Sequence, residues 1–387
     1  MLANVQDCTG CMACVASCRV SALSMRIGDD GHAYFALDAN KCVGCLSCES
    51  ACKAARAMAG DNDLSVSKPY AAWANADSVR DNATSGGFAT AAGQWCINDG
   101  GYVVGSAFDG RRASHVLVSD TANLMRLQGS KYVWSNPEAA YKAIEDKLQS
   151  GKVLFIGTGC QVAGVLAYFA GNKYRNNLYT IDLICGGVPS DLLMQSFLEG
   201  GSRVEAVTSF RSKRKYELKG LVDGKEVVLP SESLPLSGFC AEQTMRYRCY
   251  DCPFAFAHRQ SDITIGDLWG DASPAPQREK GVSLVVVHSE KGQEMLEGAD
   301  VATVPLDWKE VLPANRRLVF GRTPKTRLRK KLAENYRSMD PSTFSRVYSV
   351  SSPVTRPGGF VTRVWLHMLR RLNSFRGRRA INVILGK

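Results

Sequence analysis

Residues 8–18 read CTGCMACVASC, and residues 42–52 read CVGCLSCESAC. Cys8, Cys11, Cys14 and Cys18 follow the spacing C-x2-C-x2-C-x3-C, and Cys42, Cys45, Cys48 and Cys52 repeat it 34 residues later. Three cysteines so spaced wrap one loop around a cubane cluster, while the fourth lies beyond the loop and points to the other cluster. Cys8, Cys11, Cys14 and Cys52 are thereby assigned to one 4Fe-4S cluster, and Cys18, Cys42, Cys45 and Cys48 to a second. Gly10 and Gly44 fit the tight part of each loop, where backbone N–H groups approach sulfur. Zinc ribbons use two separated C-x2-C pairs, so the spacing speaks against structural zinc.

Residues 1–58 therefore read as a bacterial-type two-cluster ferredoxin domain. Arg19 and Lys53 stand where such runs usually carry proline after the fourth cysteine, but that proline is not a ligand. Between the two runs, Leu23, Met25 and Ile27 alternate, residues 28–31 turn, and Tyr34, Phe35 and Leu37 return. This pattern predicts a hairpin packed over the clusters.

The remainder is too long for one more small core, since 387 residues exceed a single comfortable hydrophobic centre. Hydrophobic content of 45% and charged content of 22% are those of an ordinary globular protein. There is neither a long uncharged apolar run nor a basic, apolar leader at the start, so the chain reads as cytoplasmic. In a reducing compartment, cysteines in tight groups point to metal or catalysis rather than disulfides. Ten of the 14 are so grouped. Net charge is +11, but from Trp308 onward 19 Lys/Arg face 3 Asp/Glu. Residues 346–387 read as a basic amphipathic C-terminal tail, in which a helix from Phe360, after the hinge Pro357-Gly358-Gly359, places Val361, Val364, Trp365, Met368, Leu372 and Phe375 at helical spacing. Such a tail suits peripheral contact with an anionic inner-membrane face, an acidic partner, or packing on its own domain. No nucleic-acid motif accompanies the charge.

Between these ends, residues 59–345 read as an α/β domain, making the whole chain α+β. Lys53 to Asp81, rich in small residues and aperiodic, is taken as a linker and docking segment. The turn Thr84-Ser85-Gly86-Gly87 opens a helix, and Tyr102 to Ala107 is a strand. VLFIG is a buried strand, TGCQ a turn and VAGVLAYFA an apolar helix, with Cys160 at the helix start. Helix N-termini favour anionic sulfur. The strand LYTIDLIC ends at Cys185, and Cys249 and Cys252 form a C-x2-C pair. Ligands gather at the carboxyl ends of strands in open α/β sheets. The four thiols Cys160, Cys185, Cys249 and Cys252 can therefore converge on a third cluster; the alternative is zinc held by Cys249 and Cys252 with His258 or Cys240.

The stretches SGGFATA, GGYVVGSAF, LQGSKYVWS, VLFIGTGCQVAGV, IDLICGGVPS and RYRCYDCPF with DITIGDLWG resemble, in order, the coenzyme F420 hydrogenase/dehydrogenase beta subunit family, over roughly residues 70 to 345. The form with a fused N-terminal two-cluster ferredoxin domain is the nearest in kind. The resemblance implies a flavin-binding domain with FAD and a third 4Fe-4S cluster on Cys160, Cys185, Cys249 and Cys252. It implies flavin contacts from Ser85, Gly86, Gly87, Ser130, Lys131, Thr158, Gly159 and Gln161. Lys131 is the catalytic candidate, as a positive charge beside the flavin. Gly159 and Gly186 replace the proline and histidine often found beside the two cysteines. The implied activity is an iron–sulfur flavoprotein oxidoreductase working between a small-molecule hydride donor or acceptor and a redox partner protein. The alternative is an electron-delivery or accessory subunit, some members being associated with exopolysaccharide gene sets.

Overall fold

The two cysteine loops close through the same left-handed turns. Gly10 and Gly44 have φ of 72° and 67°, and Met12 and Leu46, also 34 residues apart, both have φ of 59°. Each non-glycine turn residue caps a helix, Ala13–Ala16 in the first copy and Ser47–Ala57 in the second. The internal duplication is thus a duplication of backbone conformation as well as of cysteine spacing. The computed structural model describes residues 1–319 except 201, 202, 214, 231, 232, 241 and 243. The tail 346–387, with the membrane contact expected of it, lies outside the described residues.

Strands β1 (Leu23–Ile27) and β2 (Ala33–Leu37) form the expected antiparallel hairpin, with Leu23 opposite Leu37. The expected shield over the clusters is only half formed. Leu23 and Tyr34 are buried, but Met25 and Leu37 are exposed. Leu23, Met25 and Leu37 share one face by period and register, so that face is covered at Leu23 and left open at Met25 and Leu37.

The larger part is built on β3 (Lys68–Ala74), β4 (Tyr102–Phe108), β5 (Ala113–Val118), β6 (Ser135–Asn136), β7 (Val153–Thr158) and β8 (Leu178–Leu183). A three-stranded sheet follows, from β9 (Val204–Arg211), β10 (Tyr216–Val222) and β11 (Lys225–Val228). The chain then returns with β12 (Ile263–Asp267), β13 (Ser283–Val287) and β14 (Val301–Pro305). The main sheet runs β14-β3-β13-β12-β8-β7-β4-β5-β6, with β12, β8, β7 and β4 parallel at its centre. β7 explains why it is central. Val153, Leu154 and Phe155 are all fully buried, as a strand covered on both faces requires. Leu154 points into a core with the helix Phe88–Asn98, while Val153 and Phe155 point into another with the helices Glu138–Leu148 and Gly159–Tyr168.

The linker expected over Lys53 to Asp81 is corrected here. β3 lies inside the sheet, between β14 and β13. Its Ala71, Ala72 and Ala74 are buried, so the strand lacks both the alternation and the branched side chains by which strands are read.

The second core does not stop at residue 58. Met12, Ala13, Val15, Leu23, Ala33 and Ala51 pack in the same cluster as Tyr141, Val162, Val165 and Phe169. Tyr141 Oη donates to Cys11 O at 2.7 Å, and Ser190 Oγ donates to Gly31 O. The two parts also meet closely at Gly164, where a Cβ would stand 2.6 Å from Tyr141 Oη and 2.8 Å from Cys11 Cβ. Gly164→Val is therefore expected to cost about 1–3 kcal/mol through overpacking and to loosen the first cysteine loop. A variant with wild-type melting temperature and undiminished iron would show that the loop tolerates displacement.

Candidate functional site

Three groups of thiols gather in the folded chain. Cys8, Cys11, Cys14 and Cys52 line one small cavity with Phe35 and Phe254, although Cys52 is distant in sequence from the others. Burial pushes Cys11 up to about 11 and raises Cys8 and Cys14, and the nearby Cys52 adds to the rise in all three. Burial raises Cys48, and Cys18 and Cys45 add to the rise. Cys42 and Cys45 are exposed, and Val43 and Leu46 beside them lie open to solvent.

The third group draws on three separate segments. Thr158 ends β7, and its backbone N–H and Oγ1 both donate to Gln161 Oε1, closing the start of the next helix. This holds Cys160 at the first helical turn, with Thr158 Oγ1 3.2 Å from its Sγ. Cys185 follows β8, and its Sγ accepts the Gly187 N–H at 3.2 Å. The strand ends are fixed by a buried ion pair, Arg259 Nη1 to Asp182 Oδ2 at 3.1 Å, with Arg259 also donating to Leu183 O. Burial drives the Cys160 thiol far up; Thr158 opposes this, and Cys252, Cys185 and Cys249 add to it. Burial likewise pushes Cys252 up to about 12. Thiols raised in this way, Cys160 and Cys252, ionise readily only where a cation compensates, and metal-bound thiols are deprotonated outright. The donor set suits iron–sulfur. Cys240 is exposed, and His258 Nδ1 is engaged by Ser67 Oγ at 3.0 Å. Among the described residues no three metal-binding side chains close on a single-ion position.

A second, larger cavity of ≈ 560 Å³ opens at the carboxyl ends of β7, β8 and β12. Of the eight residues named for flavin contacts, Ser85, Gly87, Ser130, Lys131, Thr158 and Gln161 line it. Gly86 and Gly159 are not on its wall. A Cβ on Gly86 would strike Ala72 O at 2.3 Å, and one on Gly159 would stand 3.0 Å from Asp182 Oδ2, so both serve close backbone packing. Ser85 Oγ is committed to Val282 O and the Gly86 N–H to Ser283 Oγ. Lys131 Nζ donates to Leu127 O at 2.8 Å and Gln128 O at 2.7 Å. Burial pushes its pKa down to about 7, against those two carbonyls.

Sequence reading missed several wall residues. His115 is buried, stacked on Phe155 and held through Nδ1 by Ser135 Oγ at 2.9 Å. Burial pushes it down to about 4, so it is neutral, and its Nε2 has no partner among the described residues. Ser106 Oγ and Trp134 Nε1 are likewise buried without partners on this wall. Arg211 pairs with Asp267 at 2.6 Å and also donates to Thr84 O; burial opposes its charge, and Asp267 and Tyr132 together more than restore it. Ser106 and Trp134 fall within the stretches GGYVVGSAF and LQGSKYVWS but were not singled out there, while His115 and Arg211 sit in no motif and only the fold gathers them. Cys160 lies on the walls of both cavities.

Two repeated thiol sets on one ferredoxin-type hairpin define an iron–sulfur protein, and residues 7–55 match the 4Fe-4S dicluster domain. Residues 150–306 match the family described as the C terminus of the coenzyme F420 hydrogenase/dehydrogenase beta subunit. Over that central part the chain is similar to the family, and it carries a dicluster domain at its N-terminal end. Among solved structures, a chain of the F420-reducing NiFe hydrogenase complex from Methanosarcina barkeri is 17% identical. The match covers 72% of this chain and 90% of that one, with a TM-score of 0.45. Among curated proteins none matches.

Proposed function

We propose that this chain is a flavin- and iron–sulfur-dependent oxidoreductase, with FAD in the large cavity and a third 4Fe-4S cluster on Cys160, Cys185, Cys249 and Cys252. Bound there, the flavin would exchange a hydride pair for single electrons, and each cluster would hold one electron at a time. The observation that carries the reading is Cys160. Among the described residues it is the one cysteine on both the large cavity and the first thiol ring, so its group stands between the two.

The chain's own residues support the rest. The unpartnered His115 Nε2, Ser106 Oγ and Trp134 Nε1 leave one acceptor-or-donor and two donors for a polar ligand. Ser130, Lys131 and Gln161 close the wall near Thr158, where Gln161 Nε2 is anchored on Ser135 O. Lys131 can hold or release a proton at Nζ near neutral pH. At the opposite end, exposed Cys42 and Cys45 with Val43 and Leu46 favour a redox partner protein that docks there. Brief electron-transfer contacts are typically small.

Anaerobic quantitation tests this reading. We expect about 12 irons and one FAD per chain, from three four-iron clusters. About eight irons with no flavin absorbance would leave a ferredoxin-type delivery subunit in its place. Reduction of artificial acceptors by reduced F420, NADH or NADPH then identifies the donor class.

A further inference from the structure

The two cysteine loops share one backbone conformation, yet their surroundings differ at one equivalent pair of positions. A Cβ built on Gly44 would meet nothing within 4 Å. A Cβ on Gly10 would lie 2.5 Å from Arg246 Nη2 and 2.7 Å from Arg246 Cζ. Arg246 is only 1% exposed. Its guanidinium lies over the Tyr34 ring at 4.9 Å, and among the described residues Nε, Nη1 and Nη2 have no hydrogen-bond partner. The backbone is fixed by Arg246 N donating to Val188 O, three residues from the Cys185 strand end.

A buried cation without a hydrogen-bonded counter-ion is costly, and removing it from a well-packed site usually helps stability. Its placement behind one cysteine loop and not the other gives it something to act on. We propose that Arg246 sets the reduction potential of the inner cluster, held by Cys8, Cys11, Cys14 and Cys52, above that of the outer one. This rests on the assignment of a cluster to those four thiols. Reduction adds one electron to the cluster with no bond made or broken, so a nearby fixed positive charge favours the reduced form. Burial keeps that charge from being screened. After burial itself, Arg246 is the largest influence on the Cys8 thiol and acts to favour its anion. The groups facing it are Cys8, Tyr34 and the buried Asp30, which accepts from Tyr34 Oη at 2.8 Å and works against it.

The test is a redox titration followed by electron paramagnetic resonance on anaerobically prepared full-length Arg246→Gln and Asp30→Asn, with dithionite as reductant. Iron quantitation is run first, so that a missing cluster is not mistaken for an untuned one. Arg246→Gln should lower the midpoint of one cluster and leave the others in place. Asp30→Asn should raise the midpoint of that same cluster. A purely structural arginine would give unchanged potentials, or shifts of one sign in both variants, and either result overturns the proposal. Should Arg246→Gln not retain its iron, Asp30→Asn decides alone: no rise in a single midpoint sinks the idea.

Discussion

Cys160→Ser should lose roughly four of about 12 irons while the two N-terminal clusters survive, and electron exchange between hydride donor and external acceptor should cease. A serine hydroxyl at this helix start is a far poorer iron ligand than a thiolate, and it leaves three buried thiols with no shared cation. The side chain itself is nearly isosteric, so loss of iron would report ligation and not collapse. Flavin content is expected to stay near one per chain, because Thr158 and Gln161 still close the turn through their own hydrogen bonds. Donor-driven flavin bleaching should therefore persist while reduction of a one-electron acceptor stops. Unchanged iron content would remove Cys160 from the ligand set.

Lys131→Met should slow flavin reduction by about 10²–10⁴-fold, the usual range for a positioned proton donor. The pH dependence carries its own signature. Burial lowers the Lys131 pKa to about 7 in the folded chain, from an ordinary 10.5. Between those values the unfolded chain binds a proton that the folded chain does not, so folding stability rises with pH across that window. The contribution is complete above about 10.5 and lost as pH falls through about 7. In the variant, both the activity break near neutrality and this part of the melting-temperature slope from pH 7 to 9 should vanish. Equal profiles for the two proteins would assign the proton to another group.

Legibility in the sequence followed the physics of each element. The ferredoxin cysteines declare themselves because cluster ligation fixes local spacing, and the crossed assignment of Cys18 and Cys52 needs no tertiary knowledge. β7 was readable because a strand buried on both faces must be apolar throughout. β3 was not, because alanine neither alternates nor favours strands, and only the neighbours on each side hold it extended. β9 to β11 had no reading either: their burial is mixed and β11 is exposed along its length. The TGCQ turn showed its cysteine but not that glutamine and threonine would spend their polar atoms on each other. Arg246 and His115 were silent for a deeper reason. A lone arginine or histidine acquires meaning only from what the fold places around it, here a loop more than 200 residues earlier in the chain for one and a cavity wall for the other.

The openness of Cys42 and Cys45 has a practical corollary. Ser47, through its side chain and its N–H, makes the Cys45 thiol more acidic than usual. Sulfur that lies open at the surface, as at Cys42 and Cys45, is what dissolved dioxygen and peroxide reach first. Decay in air should thus proceed from the outside inward, with oxidised sulfur appearing at Cys42 and Cys45 while Cys11 and Cys160 are still intact.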